Sequence, residues 1–131
     1  MPFVYSDVDS LQDTPKVGSK QCVALVQNYA TGLSNTPSWK EGAVVIQNTQ
    51  IAKGTVIATF VDGKYQSLAH GNHAAFFLSQ DAGGIWVMDQ WADDRKKPLV
   101  SKRYLRRQGK LKSGQYVNPV DNADAYSIVE R

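Results

Sequence analysis

The spacing of apolar residues predicts one helix in the first third of the chain. Apolar side chains at the i, i+3, i+4 and i+7 positions of a helix face recur at Cys22, Leu25, Val26 and Tyr29. The pattern predicts a helix from about residue 20 to residue 30. We expect Ser19 to cap its N-terminus and Gly32 to end it.

After residue 40, short runs of β-branched and aromatic residues alternate with turn residues, which is typical of strands. Strands are predicted at residues 54–61, 73–80, 85–91 and 125–130, and short strands or loops at residues 42–48 and 104–109. The DAGG sequence at 81–84 predicts a hairpin turn between two of them. This order predicts an α+β fold, with the helix packed on an antiparallel sheet of four to six strands, in one domain spanning residues 1–131.

The composition narrows the class of protein. The chain has 131 residues, of which 42% are hydrophobic, and no apolar run is long enough to cross a membrane. The first ten residues lack a basic segment followed by an apolar one, so we expect no secretory signal and synthesis in the cytoplasm. Cys22 is the only cysteine, which excludes an internal disulfide and a zinc site built on several thiolates.

Positive charge is concentrated in one segment. Of the 15 lysines and arginines, nine lie between Arg95 and Lys112. Such a segment is either a solvated basic loop or a surface that attracts an anionic polymer or an acidic partner. One hypothesis is therefore a nucleic-acid binding module, which would use this segment with aromatic residues such as Tyr104, while Cys22 and His73 would be structural.

The position of Cys22 favours a chemical role. A thiol in the first turn of a helix meets partial positive charge and free N–H groups, which stabilise the thiolate. Lys20 adds charge nearby, and the same N–H groups could bind an oxyanion. The opposing interpretation is a small buried side chain, and a Ser19 cap would occupy the N–H of Cys22.

Candidate partners for this thiol lie on the predicted hairpin. His73 stands at the entry to a buried strand, where it can act as a base, whereas His70 is expected in solvent. The returning strand ends in Asp89 and Gln90, and either could orient the ring of His73. Strand alternation sends them to opposite faces, and we favour Asp89 because a carboxylate also stabilises imidazolium. The opposing interpretation is a polar residue that contacts water at the end of the strand, and it fits Gln90 better than Asp89.

Four segments, QCVALVQ, GTVIATF, GNHAAFFL and GIWVMDQW, together resemble the papain-like cell-wall amidases of the CHAP and NlpC/P60 group. Within that group the chain is most similar to the BPSL0067 family, which is akin to type VI secretion amidase effectors. The resemblance covers residues 18–91 and implies a papain-like fold. It implies Cys22 as nucleophile, His73 as general base and acid, and Asp89 as the residue that orients His73, although CHAP proteins typically have Glu at the third position.

The resemblance also carries expectations about substrate and surroundings. It implies hydrolysis of an amide bond in a peptidoglycan stem peptide or cross-link, with no metal and no organic cofactor. An antibacterial effector of this kind would act in the periplasm of a target cell and meet a cognate immunity protein. Neither nucleic acid nor a membrane is expected as a partner.

Overall fold

The computed structural model describes residues 1–130, which form one α-helix and a six-stranded antiparallel sheet. The helix is α1 (Cys22–Tyr29), and the strands are β1 (Lys40–Val44), β2 (Val56–Thr59), β3 (Ala74–Asp81), β4 (Gly84–Asp89), β5 (Ser101–Arg106) and β6 (Tyr126–Glu130). Short 3-10 helices occupy Val8–Leu11, Thr36–Ser38, Pro119–Asp121 and Ala123–Ala125. The predicted α+β class is confirmed, and both uncertain segments contribute to strands.

The strand order in the sheet is β1-β6-β2-β3-β4-β5, with every neighbouring pair antiparallel. The last strand, β6, enters between β1 and β2. All four residues of β2 are buried, in keeping with the three apolar residues that open it; the fourth is Thr59. The edge strands β1 and β5 are more exposed and carry charged residues, which discourages edge-to-edge pairing with other chains.

Both faces of the sheet are covered, which explains why the central strands are apolar on both sides. On one face, α1 contributes Leu25 and Val26 to a cluster with Phe76 and Met88. On the other face, residues from the segments before β2 and before β6 cover a second cluster, which includes Ile57, Phe77, Val87, Leu105 and Tyr126. The sheet is therefore a rigid central layer from which side chains at the strand ends can project.

The turn between β3 and β4 fixes which residues of the two strands pair, including those at the end of the hairpin that lies away from the turn. Asp81 pairs with Gly84 across the predicted turn, and the Asp81 carboxylate accepts the N–H groups of Gly83 and Gly84. A bulge near Leu78 follows, and Phe76 then pairs with Met88. The start of β3 and the end of β4 consequently lie side by side.

The start of α1 differs from the prediction. Gly18 and Lys20 have φ angles of 57° and 68°, so the helix cannot extend back through them. The N-cap is Gln21, and the Ser19 hydroxyl accepts the N–H of Gln21 at 3.4 Å. The expectation that Ser19 caps the helix and occupies the N–H of Cys22 is therefore wrong. At the other end the helix stops at Tyr29, and Gly32 lies in the following turn.

None of the helices within residues 1–130 combines the length and the apolar character needed to cross a membrane.

Gly84 tests the close pairing of β4 with β5. A Cβ atom there would lie 2.0 Å from the carbonyl oxygen of Leu105. We expect Gly84→Ala to lower the free energy of unfolding by about 2–3 kcal/mol, measured by urea denaturation. Gly63→Ala is the control, because nothing lies near its Cβ and only its positive φ costs about 1 kcal/mol. Equal losses for the two variants would contradict this account.

Candidate active site

Cys22 lies at the junction of two open cavities. It is the first residue of α1, and its side chain is half-buried. One cavity, of about 340 Å³, is lined by Cys22, His73, Trp91, Arg103 and the loop at 68–72. The other, of about 680 Å³, shares Cys22 but has Tyr65 and the segment 35–37 on its wall. Cys22 is therefore shared by the walls of both cavities.

His73 and Asp89 lie behind Cys22 in the interior. His73 directly precedes β3, and its buried ring places Nε2 2.9 Å from Oδ2 of Asp89, the last residue of β4. The Cys22 thiol is close enough to the ring to raise the pKa of His73, and Nδ1 is the ring nitrogen that Asp89 does not occupy. The structure thus brings together all three residues that the sequence singled out. His70 lies exposed on the adjoining loop, as expected.

The charges of this group favour an ionised thiol. Burial raises the pKa of Cys22, but the hydrogen bond and charge of His73 outweigh it, and the pKa falls to about 7. Burial lowers the pKa of His73, whereas hydrogen bonds from its ring to Asp89 and Cys22 raise that pKa to about 9. Between these pH values the pair exists as thiolate and imidazolium, which is the state a nucleophile and general acid require.

Asp89 is completely buried and is surrounded by cations. Besides His73, the Nε of Arg103 lies 3.0 Å from its Oδ2, and the Nζ of Lys97 lies 2.8 Å from its Oδ1. Burial raises the pKa of this carboxyl group, but His73, Arg103 and Lys97 together hold the pKa well below its usual range. Asp89 therefore remains an anion, which orients the ring of His73 and stabilises its protonated form.

The indole of Trp91 packs against both cations beside Asp89, which are Lys97 and Arg103. The Nζ of Lys97 lies 4.8 Å from its ring centroid, and the Cζ of Arg103 lies 5.0 Å from it. The edge of the same indole faces the ring of His73. Arg103 is further anchored by Asp121, which accepts a hydrogen bond from Nη1. The cations beside Asp89 are thus packed against an aromatic surface and are not freely mobile.

Lys97 and Arg103 were not identified from the sequence, where they count toward the basic segment at 95–112. No spacing signal distinguishes them from the neighbouring exposed cations, because their position depends on how the chain returns from β4 to β5. Only 4% of Lys97 is exposed. The segment is therefore not one uniform solvated surface.

Gln90 has a different function from the one expected of a polar strand end. Its side chain is fully buried and makes three hydrogen bonds to backbone atoms. The amide oxygen accepts the N–H of Val17 at 3.0 Å, and the NH₂ group donates to the carbonyls of Val17 and Gln21. The expectation that Gln90 meets water is wrong. Gln90 instead attaches the segment before Cys22 to the sheet, while Asp89 faces His73.

Tyr65 is a second residue that sequence reasoning missed. Its hydroxyl lies 3.5 Å from the sulfur of Cys22 and accepts a hydrogen bond from Asn72. No motif marks it, since it follows a turn in a polar stretch.

Among residues 1–130, no group of three or more His, Cys, Asp or Glu side chains is placed to hold a metal ion.

Comparison with known proteins gives consistent matches over nearly the whole chain. A family model described as domesticated amidase effector 2 matches residues 6–127. A type VI secretion amidase effector 2 protein of Salmonella typhi is 54% identical over 99% of this chain and 100% of its own length. Domesticated amidase effector 2 of Ixodes scapularis is 37% identical over 87% of this chain and 73% of its own length.

A solved structure is also similar. The structure of a type 6 secretion amidase effector 2 superposes with a TM-score of 0.91 and 52% sequence identity, covering 98% of this chain and 94% of that chain. The likeness confirms the expected papain-like fold, with the cysteine on its helix.

The lowered pKa of Cys22 predicts fast alkylation near neutral pH. Because the thiolate is the reactive form, the rate of modification by iodoacetamide should be half-maximal at about pH 7, where ordinary thiols are only a few per cent ionised. His73→Ala removes the stabilising charge and should move the midpoint upward. His70→Ala, the matched control, should leave it unchanged. A wild-type midpoint at the usual thiol value would contradict this electrostatic description.

The hydrogen bonds of Gln90 predict a stability effect. Gln90→Met preserves the volume of the side chain but removes its three hydrogen bonds to the backbone of Val17 and Gln21, so the free energy of unfolding should fall by about 2–4 kcal/mol. Alkylation of Cys22 should also slow, because the start of α1 loses its anchor. Gln27→Met is the control, since Gln27 makes one long hydrogen bond. The assignment is wrong if both variants unfold at the same urea concentration.

Proposed function

The chain belongs to the domesticated amidase effector 2 family, and on this basis we propose that it is a cysteine-dependent peptidoglycan amidase. In this proposal Cys22 is the nucleophile, His73 is the general base and acid, and Asp89 orients His73. The observation that carries it is the grouping of three side chains beside two open cavities: the Cys22 thiol, the His73 ring whose pKa that thiol raises, and the buried Asp89 carboxylate that binds the ring.

The first half of the reaction is acylation. The thiolate of Cys22 attacks the carbonyl carbon of the amide, so a C–S bond forms and the π electron pair moves to oxygen. The N–H groups at the start of α1 stabilise that oxyanion, since Ser19 does not bind the N–H of Cys22. Collapse of the intermediate breaks the C–N bond, and the His73 imidazolium gives its proton to the departing amine. A thioester remains on Cys22.

The second half is hydrolysis of the thioester. His73, now neutral, accepts a proton from water as the water oxygen attacks the thioester carbon. The C–S bond breaks, the product leaves as a carboxylic acid that ionises, and the pair returns to thiolate and imidazolium. Asp89 stays ionised throughout, because its neighbouring cations Lys97 and Arg103 hold the charge in place.

The two cavities receive different halves of the substrate. His73 lines the cavity that also contains Arg103 and Asp121, so the leaving amine lies on that side, within reach of the proton donor. The acyl half then occupies the cavity with Tyr65 and the segment 35–37. Peptide substrates that extend on both sides of the scissile bond should therefore be preferred to short ones.

The names of the relatives support a proposal for where the protein acts and what it meets there. Because the Salmonella typhi relative is described as a type VI secretion amidase effector, we propose that this protein is an antibacterial effector. Its substrate would be the stem peptide or peptide cross-link in the periplasm of a target cell. A cognate immunity protein would protect the producing cell, and blocking the two cavities is the direct way to do so.

Digestion of purified peptidoglycan tests the proposal. The wild-type protein should release new amine-bearing fragments, and mass spectrometry of these identifies the bond that is cut. Two candidates are the link between D-Glu and diaminopimelate and the cross-link between diaminopimelate and D-Ala. Cys22→Ala and His73→Ala should each reduce the rate at least about 10³-fold. His70→Ala should retain activity, and a Cys22→Ala variant with wild-type activity would rule out the thiol mechanism.

A further inference from the structure

The hydroxyl of Tyr65 lies beside the reactive sulfur, and a chain of hydrogen bonds sets its orientation. The backbone N–H of Leu68 donates to Oδ1 of Asn72 at 2.7 Å. Since an N–H requires an acceptor, this contact fixes which end of the Asn72 amide carries oxygen. The NH₂ group therefore faces Tyr65, and Nδ2 donates to the phenolic oxygen at 3.2 Å.

The direction of this chain determines where the phenolic hydrogen points. Because the Tyr65 oxygen accepts from Asn72, its single hydrogen is left for the remaining neighbour, the Cys22 sulfur 3.5 Å away. We propose that Tyr65 is a further catalytic residue, which donates a hydrogen bond to the Cys22 thiolate, and that Asn72 is the positioning residue that aims it. Its importance for hydrolysis rests on the proposed function; the hydrogen bond itself does not.

The ring of Tyr65 is held firmly enough for this role. Only 7% of the residue is exposed, and the ring packs on Trp39 with a centroid distance of 5.0 Å. Trp39 is fixed in turn by a hydrogen bond from Nε1 to the carbonyl of Ser34. Burial, and then the nearby charge of Cys22, raise the pKa of Tyr65. The hydroxyl thus stays protonated wherever Cys22 is ionised.

In this proposal Tyr65 and His73 both lie beside the sulfur, but only His73 transfers a proton during the reaction. His73 lines one cavity and gives up its proton to the leaving amine, whereas Tyr65 lines the other and keeps its proton. Donors on two sides of the thiolate stabilise its negative charge and leave a lone pair for the attack on the substrate. When the C–S bond forms, the sulfur loses its negative charge, and the hydrogen bond from Tyr65 weakens without any proton transfer.

The pH dependence of alkylation by iodoacetamide tests the hydrogen bond directly. Tyr65→Phe removes one oxygen and keeps the ring, so the midpoint of the rate profile should rise by about one pH unit. At pH 6 the rate should accordingly fall about tenfold. Tyr29→Phe, at the far end of α1, is the matched control and should behave as wild type. Superimposable profiles for Tyr65→Phe and wild type would overturn the proposal.

The role of Asn72 is tested with Asn72→Asp, which leaves Tyr65 itself intact. A carboxylate still accepts the N–H of Leu68 but cannot donate to Tyr65, so the phenolic hydrogen turns toward it and away from Cys22. The midpoint should rise in the wild-type background and rise less in the Tyr65→Phe background. Equal shifts would mean that the new charge acts directly on the thiol, and no shift would mean that Tyr65 is not aimed by Asn72; both overturn the assignment.

These measurements are separate from the test of amidase activity. Alkylation requires only the folded protein and its thiol, whereas peptidoglycan digestion requires the complete reaction. A shifted midpoint in Tyr65→Phe with no digestion by the wild-type protein would overturn the proposed function and leave the hydrogen bond standing. Digestion by the wild-type protein with unshifted profiles would do the opposite. In an active protein, Tyr65→Phe should move the pH profile of kcat/KM upward by about the same interval as the alkylation profile, whereas a merely structural role of Tyr65 would leave the midpoint in place.

Discussion

The site depends on keeping one carboxylate ionised in the protein interior. Asp89 has no exposed surface, and an isolated carboxylate in such a place would take up a proton. The cations of His73, Lys97 and Arg103 prevent this, and each comes from a different part of the chain. All three cations contact this one carboxylate. Their contacts therefore fix the relative positions of the start of β3, the end of β4, the connection that follows β4, and β5.

Two consecutive residues at the end of β4 determine the geometry around the thiol. Asp89 turns to one side of the strand and binds His73, while Gln90 turns to the other and binds the backbone at Val17 and Gln21. Strand alternation makes this division unavoidable. Because Gln21 is the N-cap of α1, the base and the nucleophile are both attached to the same strand end. The contacts of Asp89 and Gln90 therefore help to set the separation of the base and the nucleophile.

Burial increases along the line from sulfur to carboxylate. Cys22 is half-buried between two cavities, His73 is 3% exposed, and Asp89 is not exposed at all. An electrostatic interaction is stronger where water is excluded. The contact between Asp89 and His73, which orients the imidazole and stabilises its charge, lies in the most buried part of the site. The sulfur remains open to a substrate and to the water that the proposed second half of the reaction consumes. The hydrogen bond proposed for Tyr65 lies between these extremes, since 7% of Tyr65 is exposed.

The sequence by itself determined the local features, which are the amphipathic helix and the β3–β4 hairpin. It also pointed to Cys22 and His73, and it favoured Asp89 over Gln90 without deciding between them. Hydrophobic periodicity and turn residues act over a few positions, so one sequence carries enough information for them. The cap at Ser19 was wrong because Lys20 adopts a left-handed conformation that local preference does not reveal. Only the tertiary structure decided that Lys97, Arg103, Gln90 and Tyr65 belong to the site. Their roles arise from contacts between distant segments, where a buried charge or backbone group selects its partner.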